Sequence, residues 1–295
     1  LGNIENIRGL IRKYKHGQTL DINHNKLKPF FNTKKSTPKE GLEKLSKLKS
    51  KTIQRKPIQL AMGLYYILSD IHLPLHNEQA LFSCLDYISK DKRKITGIIL
   101  NGDILDQYHT SRFLKTRRDF GVMDELNYGR EFFQYLRSMF PTQRIIYKCG
   151  NHDARFMHYL LRSAPELVGV EEISLPNLLW FDDYNIEWVE NEIIKAGKLN
   201  ILHGHELGET IFSPVNPARG LYLKTKSSTL IGHYHQISEH TEGNLNGDVV
   251  GCWSTGCLCD LTPEYRPFAY TKWNHGFAEV IVGERGMFRV KNYKI

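Results

Sequence analysis

The chain has 295 residues, 41% of them hydrophobic and 24% charged, enough apolar material to bury a real core in one large domain or two small ones. No apolar run approaches the roughly 20 residues that cross a bilayer, and no signal-peptide pattern opens at Leu1. The five cysteines, Cys84, Cys149, Cys252, Cys257 and Cys259, are an odd number in so long a chain; they argue against a disulfide framework and for reduced thiols in an intracellular, cytoplasmic setting.

The net charge of +8 is concentrated at one end. Residues 1–60 hold 15 Lys+Arg against 4 Asp+Glu, whereas residues 61–295 hold 25 against 28. The first segment therefore reads as a basic, partly helical N-terminal extension and linker, and 61–295 as the catalytic domain. A basic extension suits nucleic acid, an anionic membrane surface or an acidic partner; a solvated tail is the plain alternative. Within it, Ile4, Ile7, Leu10 and Ile11 recur at helical spacing with Gly17 as a stop. Thr37-Pro38-Lys39-Glu40 has the form of a helix start, with Thr at the N-cap, Pro at the first helical position and Glu closing a capping box. Leu42, Leu45 and Leu48 continue an apolar stripe, and Lys49 to Gln59 reads as linker.

From Ala61 onward, strand-like apolar runs each end in a cluster of polar ligand types. Leu64–Leu68 is followed by Asp70 and His72, a D-x-H. A helix is expected over Glu78 to Lys90, connecting to Ile98–Leu100, after which come Gly102, Asp103 and Asp106, a G-D-x-x-D. The stretch Gln107 to Arg118 is polar and basic, and a helix follows over Met123 to Met139. Arg144–Tyr147 leads into Gly150-Asn151-His152-Asp153, and a helix over Phe156 to Arg162 ends at Ala164-Pro165. Pro176 to Asp183 reads as a connection and Ile186 to Val189 as a strand. Leu199–Leu202 runs into His203-Gly204-His205, and Thr229–Ile231 into Gly232-His233-Tyr234-His235. Short strands at Val249-Val250 with Trp253, Phe277 to Val282 and Met287 to Val290 complete the chain, with a turn at Glu284-Arg285-Gly286.

Five ligand-rich motifs at the downstream ends of strands converge on one crevice of an α/β sheet. Carboxylate, imidazole and amide oxygen together suit hard or borderline divalent metals, and no thiolate is obligatory. A pair of such ions shares a carboxylate, activates a water between them and leaves positions for a phosphoryl group. An imidazole that is not a ligand can protonate the leaving oxygen, and His152 is left over for that task. Arg155 suits a bidentate phosphate clamp or an ion pair with a neighbouring acid. The C-x4-C-x-C of Cys252, Cys257 and Cys259 has the wrong spacing for a common zinc site and reads as thiols buried in strands. Trp273 and His275 read as core or turn residues.

The ordered set D-x-H, G-D-x-x-D, G-N-H-D, H-G-H and G-H-x-H, spanning about Tyr65 to Gln236, resembles the calcineurin-like metallophosphoesterase superfamily, and the run G-N-H-D-A-R-F is similar to its phage and bacterial members. The resemblance implies an α/β fold, a four-layer α/β/β/α sandwich with two mixed sheets. It also implies one metal on Asp70, His72, Asp103 and His235 and a second on Asp103, Asn151, His203 and His233, bridged by Asp103. His203 rather than His205 is taken because it directly ends its strand. His152 matches the position that assists the leaving group, Asp153 the position that orients it, and Asp106 a residue holding a ligand or water. Manganese is the first expectation for the two ions, with Fe, Zn2+, Ni2+ or Mg2+ as others. The expected activity is hydrolysis of a phosphate ester by a hydroxide between the ions, with a lean toward nucleic-acid or nucleotide phosphodiesters. A phosphomonoesterase and a non-catalytic nucleic-acid-binding scaffold are the alternatives.

Overall fold

The computed structural model describes residues 37–112, 118–208, 215–263 and 270–295. The expected helix at Ile4 to Ile11 lies outside the described residues, as does Arg117 of the basic stretch. The chain divides into two compact units, Leu1–Gln54 and Arg55–Ile295. In the first, α1 (Pro38–Ser46) begins as its sequence predicts: the Thr37 side chain accepts from Glu40 N, and the Glu40 carboxylate accepts from Thr37 N.

The second unit contains, among the described residues, two six-stranded sheets. One holds β2 (Gly63–Leu68), β3 (Ile95–Asn101), β4 (Arg144–Lys148) and β5 (Ile186–Val189) in parallel, with β11 (Gly276–Val282) antiparallel to β2, and β12 (Phe288–Lys294) antiparallel to β11. The other runs β1 (Ile58–Gln59), β6 (Ile194–Ala196), β7 (Leu199–Ile201), β8 (Thr229–Ile231), β10 (Val249–Ser254), β9 (Ser238–Gly243), with β7, β8 and β10 parallel.

Side-chain alternation along the strands fills two layers at once. Leu64, Tyr66 and Leu68 of β2, Ile98 and Leu100 of β3, and Ile145 and Tyr147 of β4 face a helical layer. Tyr65, Ile67, Ile99 and Ile146 face the second sheet, where they meet Ile194, Ala196, Leu199, Ile201 and Leu230. Parallel strands covered on both faces need unbroken apolar runs, which is why these segments are legible in the sequence. The helical layer is α2 (Glu78–Ser89), burying Ala80, Leu81, Cys84 and Ile88, and α3 (Val122–Met139), burying Leu126, Phe133 and Leu136. On the far face of the second sheet α6 (Pro217–Thr225) packs Ala218 and Leu221 against Leu202, Ile231 and Cys252. The layers are α/β/β/α, the sandwich that the sequence resemblance implies.

Some expectations differ from the structure. Ile58–Gln59, read as the end of a linker, pairs in parallel with Ile194-Lys195 as an edge strand. Leu175–Leu178, largely read as connection, forms one helical turn, α5, while α4 (Arg155–Ser163) starts one residue earlier than its apolar pattern. Of the three clustered cysteines only Cys252 lies in a strand; Cys257 and Cys259 follow β10 in the loop that crosses the site. All five thiols are free and buried.

One buried acid on α3 gives this unit a pH signature. Glu125 is 1% exposed and accepts from the backbone N–H of Gln107, and burial pushes its carboxyl from 4.5 up to about 8. The unfolded chain ionises this group at 4.5, whereas the fold resists until about 8, so its stabilising contribution is complete below 4.5 and is lost as pH rises through 8. Urea unfolding of wild type and Glu125→Gln across that window is expected to show the wild type losing stability relative to the variant as pH rises.

Candidate metal centre

The polar motifs lie where the strands stop. Asp70 and His72 follow β2, Asp103 and Asp106 follow β3, Asn151, His152 and Asp153 follow β4, His203 follows β7, and His233 and His235 follow β8. The chain turns sharply at these points. Asp70, His72, Asp103, His233 and His235 all have left-handed backbone, with φ of 55°, 53°, 53°, 67° and 54°. Such φ values are uncommon outside glycine and are retained where surrounding contacts over-determine them. Backbone bonds supply that determination: Asp70 N donates to Gly102 O at 3.0 Å, His72 N to Asp103 O at 3.0 Å, and Gly232 N to His203 O at 2.8 Å. Gly150 is required by proximity, since a Cβ there would collide with the Asp103 carboxylate and its backbone nitrogen.

These turns bring Asp70, His72, Asp103, His203, His233 and His235 into one cluster. His203 Nε2 is 3.2 Å from Asp103 Oδ2, and His72 Nε2 is 3.9 Å from the same oxygen. His235 Nε2 is 3.1 Å from Asp70 Oδ1 and 3.3 Å from His72 Nε2. Asp103, His203 and His233 present donor atoms within 4.8 Å of one another, as do His72, Asp103 and His152. Asp103 belongs to both groups. Asp70 is 0% and Asp103 1% exposed, and the ionisable side chains paired with them are imidazoles. His205 is 5.4 Å ring to ring from His203 and outside these groups.

The roles around the cluster are partly redistributed. Asp153, expected to orient His152, instead accepts from the backbone N–H groups of Asp103 (2.8 Å), Leu105 (3.2 Å) and Gly150 (2.8 Å) and from the Tyr147 hydroxyl (2.6 Å). It braces the loop under Asp103, because successive side chains on this tight turn diverge. Asp106 is the acid that holds His152: its Oδ1 lies 2.9 Å from His152 Nδ1 and 3.2 Å from His72 Nδ1. Arg155 donates to Asp106 O at 2.8 Å and approaches His152 Nε2 at 2.9 Å, so in this state its guanidinium is engaged inside the site. Trp273, read as core or turn, reaches the pocket beside the cluster, its ring 4.1 Å from that of His235.

Other supporting residues escaped the sequence reading. Asn101 ties the two sheets together: its amide donates to Leu202 O at 2.8 Å, and its carbonyl accepts from His203 Nδ1 at 2.7 Å. Ser69 donates to Asp70 Oδ2 at 2.5 Å. Fully buried Lys148 pairs with Glu206 at 2.8 Å, and Glu206 in turn accepts from Gly204 N at 2.7 Å and His203 N at 3.3 Å. The available signal was a polar residue, Asn101 or Lys148, closing an otherwise apolar run. Cys259 Sγ lies 3.6 Å from His235 Nδ1, which no spacing rule would have suggested.

The donor set fits divalent metals. His203 Nδ1 faces a carbonyl oxygen and so carries a proton, leaving Nε2 directed at Asp103 without hydrogen-bond geometry. Asn151 Oδ1 is likewise buried with no partner. Buried polar atoms of this kind call for a ligand. Burial alone would hold the imidazoles neutral, but the Asp103 carboxylate lifts His203, and Asp70 lifts His235, each to about 10. Burial opposes Asp70, yet the charge on His235 and His203 brings it down to about 2. Protons thus balance the two carboxylates wherever no cation does.

No family model matches the chain. Over 227 residues it is 28% identical to the Gene 54 protein of Mycobacterium phage L5 and 26% identical to that of Mycobacterium phage D29, each alignment spanning 73% of this chain and 88% of the relative. Among solved structures it is similar to Vacuolar Protein Sorting 29 from Cryptosporidium parvum, with TM-score 0.38, 14% identity, and coverage of 79% of this chain and 98% of that one. It is similar also to the Pseudomonas putida nuclease MPE, with TM-score 0.34, 14% identity, and coverage of 78% and 87%. A hypothetical protein from Pyrococcus horikoshii gives TM-score 0.43 at 13% identity, covering 79% and 87%.

Because His203 and His235 must shed protons to serve as ligands, metal uptake should release protons and weaken as pH falls. Calorimetric titration of Mn2+ at pH 7 in buffers of different ionisation enthalpy is expected to show that release. Mn2+ should also raise the wild-type melting temperature, by an amount equivalent to about 2.7 kcal/mol at a hundredfold excess over Kd, and leave Asp103→Ala nearly unmoved.

Proposed function

We infer that this chain is a calcineurin-like metallophosphoesterase of the phage type, a dinuclear metal-dependent hydrolase of phosphate esters acting on nucleic-acid or nucleotide phosphodiesters. The observation that carries the reading is the set Asp103, His203 and His233, whose donor atoms lie within 4.8 Å of one another, together with Asn151 Oδ1, which is buried with no hydrogen-bond partner. Taking two carboxylates out of water costs several kcal/mol per ion unless matched by opposite charge. The phage relatives support the phage type.

Asp70, His72, Asp103 and His235 would hold one ion, and Asp103, Asn151, His203 and His233 the other, with Mn2+ the first candidate. When bound, such ions supply positive charge for a phosphoryl oxygen and make an attacking water acidic. The chain's own residues do the rest. Asp103, whose Oδ2 faces both His203 and His72, would be the carboxylate shared by the two ions. Asp106 fixes His152 by accepting from Nδ1 at 2.9 Å, which makes Nε2 the atom that exchanges a proton with the leaving oxygen. Arg155, 2.9 Å from that Nε2, would pair with a phosphoryl oxygen beside it. Asp153 keeps the Asp103 loop in place through its backbone bonds.

The basic residues ahead of β1 would add sequence-independent attraction for the phosphates of a nucleic acid, which supports the lean toward phosphodiesters. Among the described residues no helix is long and apolar enough to cross a membrane.

Two experiments test the reading. With Mn2+, the protein is expected to hydrolyse bis(p-nitrophenyl) phosphate and oligonucleotides in preference to p-nitrophenyl phosphate, and His152→Ala should lower kcat on the order of 10²- to 10⁴-fold. Preference for the monoester would turn the assignment to a phosphomonoesterase, and no hydrolysis of any ester would turn it to a binding scaffold. Removing residues 1–54, which leaves β1 in place, should weaken oligonucleotide binding and flatten its salt dependence; unchanged affinity would remove the nucleic-acid role of the extension.

A further inference from the structure

Beside the ligand cluster lies a depression open to solvent. It is lined by the imidazoles of His72, His152 and His235 together with Leu75, Pro263 and Trp273. Trp273 is half-buried, and its ring meets that of His235 at 54°, tilted rather than stacked. Part of the indole is therefore not covered by the imidazole and is directed at the open space it lines. The exposed Asp260 adds a hydrogen-bond acceptor at the rim.

We propose that this depression is a nucleobase subsite on the leaving-group side of the scissile phosphate, with Trp273 as the stacking platform. The proposal rests on the phosphodiesterase reading above, which makes His152 the residue beside the leaving oxygen. Whatever group occupies the space next to His152 is attached to that oxygen. A planar base can stack on an indole face, and the exocyclic amino groups of bases can donate to Asp260. Base–aromatic stacking tolerates every base, so the subsite selects for nucleosides without reading sequence.

The test is binding of adenosine, with ribose as control, to metal-free wild type, Trp273→Phe and Trp273→Ala, followed by calorimetry or ligand-observed NMR. Adenosine should bind wild type and ribose should not; Trp273→Ala should weaken adenosine about tenfold, and Trp273→Phe should keep most of the affinity. A parallel melting experiment with Mn2+ should show the metal-induced stabilisation retained in both variants. Equal adenosine affinity in all three proteins, no adenosine binding by wild type, or equal binding of ribose overturns the proposal. So does loss of the Mn2+ response in Trp273→Ala, which would make Trp273 a brace for His235. Adenosine binding that survives while no phosphate ester is hydrolysed would sustain the subsite and remove the phosphodiesterase reading, so the two failures are distinct.

Discussion

The arrangement depends on keeping the Asp103 carboxylate ionised where water does not reach it. A carboxylate 1% exposed would ordinarily be driven toward its neutral form by desolvation, yet here the surrounding imidazoles, led by His203, hold it well below the usual carboxylate range. That balance of charge explains the layout of the loops. The left-handed backbone at Asp70, His72, Asp103, His233 and His235 aims each side chain inward at the end of its strand, and Gly150 is bare because any side chain there would displace the acid. The hydrogen bonds that fix these turns come from Asp153, Asn101, Ser69 and Glu206, none of which the reading assigns to an ion.

The fold follows from the same sequence features that reveal the site. Strands covered on both faces are continuous apolar runs, so β2, β3, β4 and β8 stand out, and polar residues just beyond them stand out by contrast. Where a strand is exposed or short the contrast vanishes. Strand β9, Ser-Glu-His-Thr-Glu-Gly, has no apolar residue and is defined only by its antiparallel pairing with β10. Strand β6 is three residues long, and β1 is two residues that become a strand through their partner in β6. Pairing of this kind is tertiary information and leaves little trace in local composition.

The site itself was legible to the extent that its residues terminate strands. Asp70, His72, Asp103, His203, His233 and His235 meet as their order along the chain suggests. Orienting His152, the role that the resemblance implies for Asp153, is not the contact seen: the turn sends the Asp153 carboxylate beneath the loop, and Asp106 lies against His152. Trp273 and Cys259 arrive from the loop regions after β10, brought to the pocket by the pairings of Cys257 with His275 and His76 with Cys259 and by the backbone bond from Asn274 N to His235 O. No motif could have announced that approach.

Asn101 has a consequence for how the molecule is built. Its side chain grips a carbonyl beyond β7 in one sheet while its own carbonyl, at the end of β3 in the other, receives the His203 ring. The two halves of the cation cradle thus come from different sheets and exist as a unit only once those sheets have come face to face. An ion seated there would act as a rivet through the sandwich, and its affinity would gauge how closely the two layers meet.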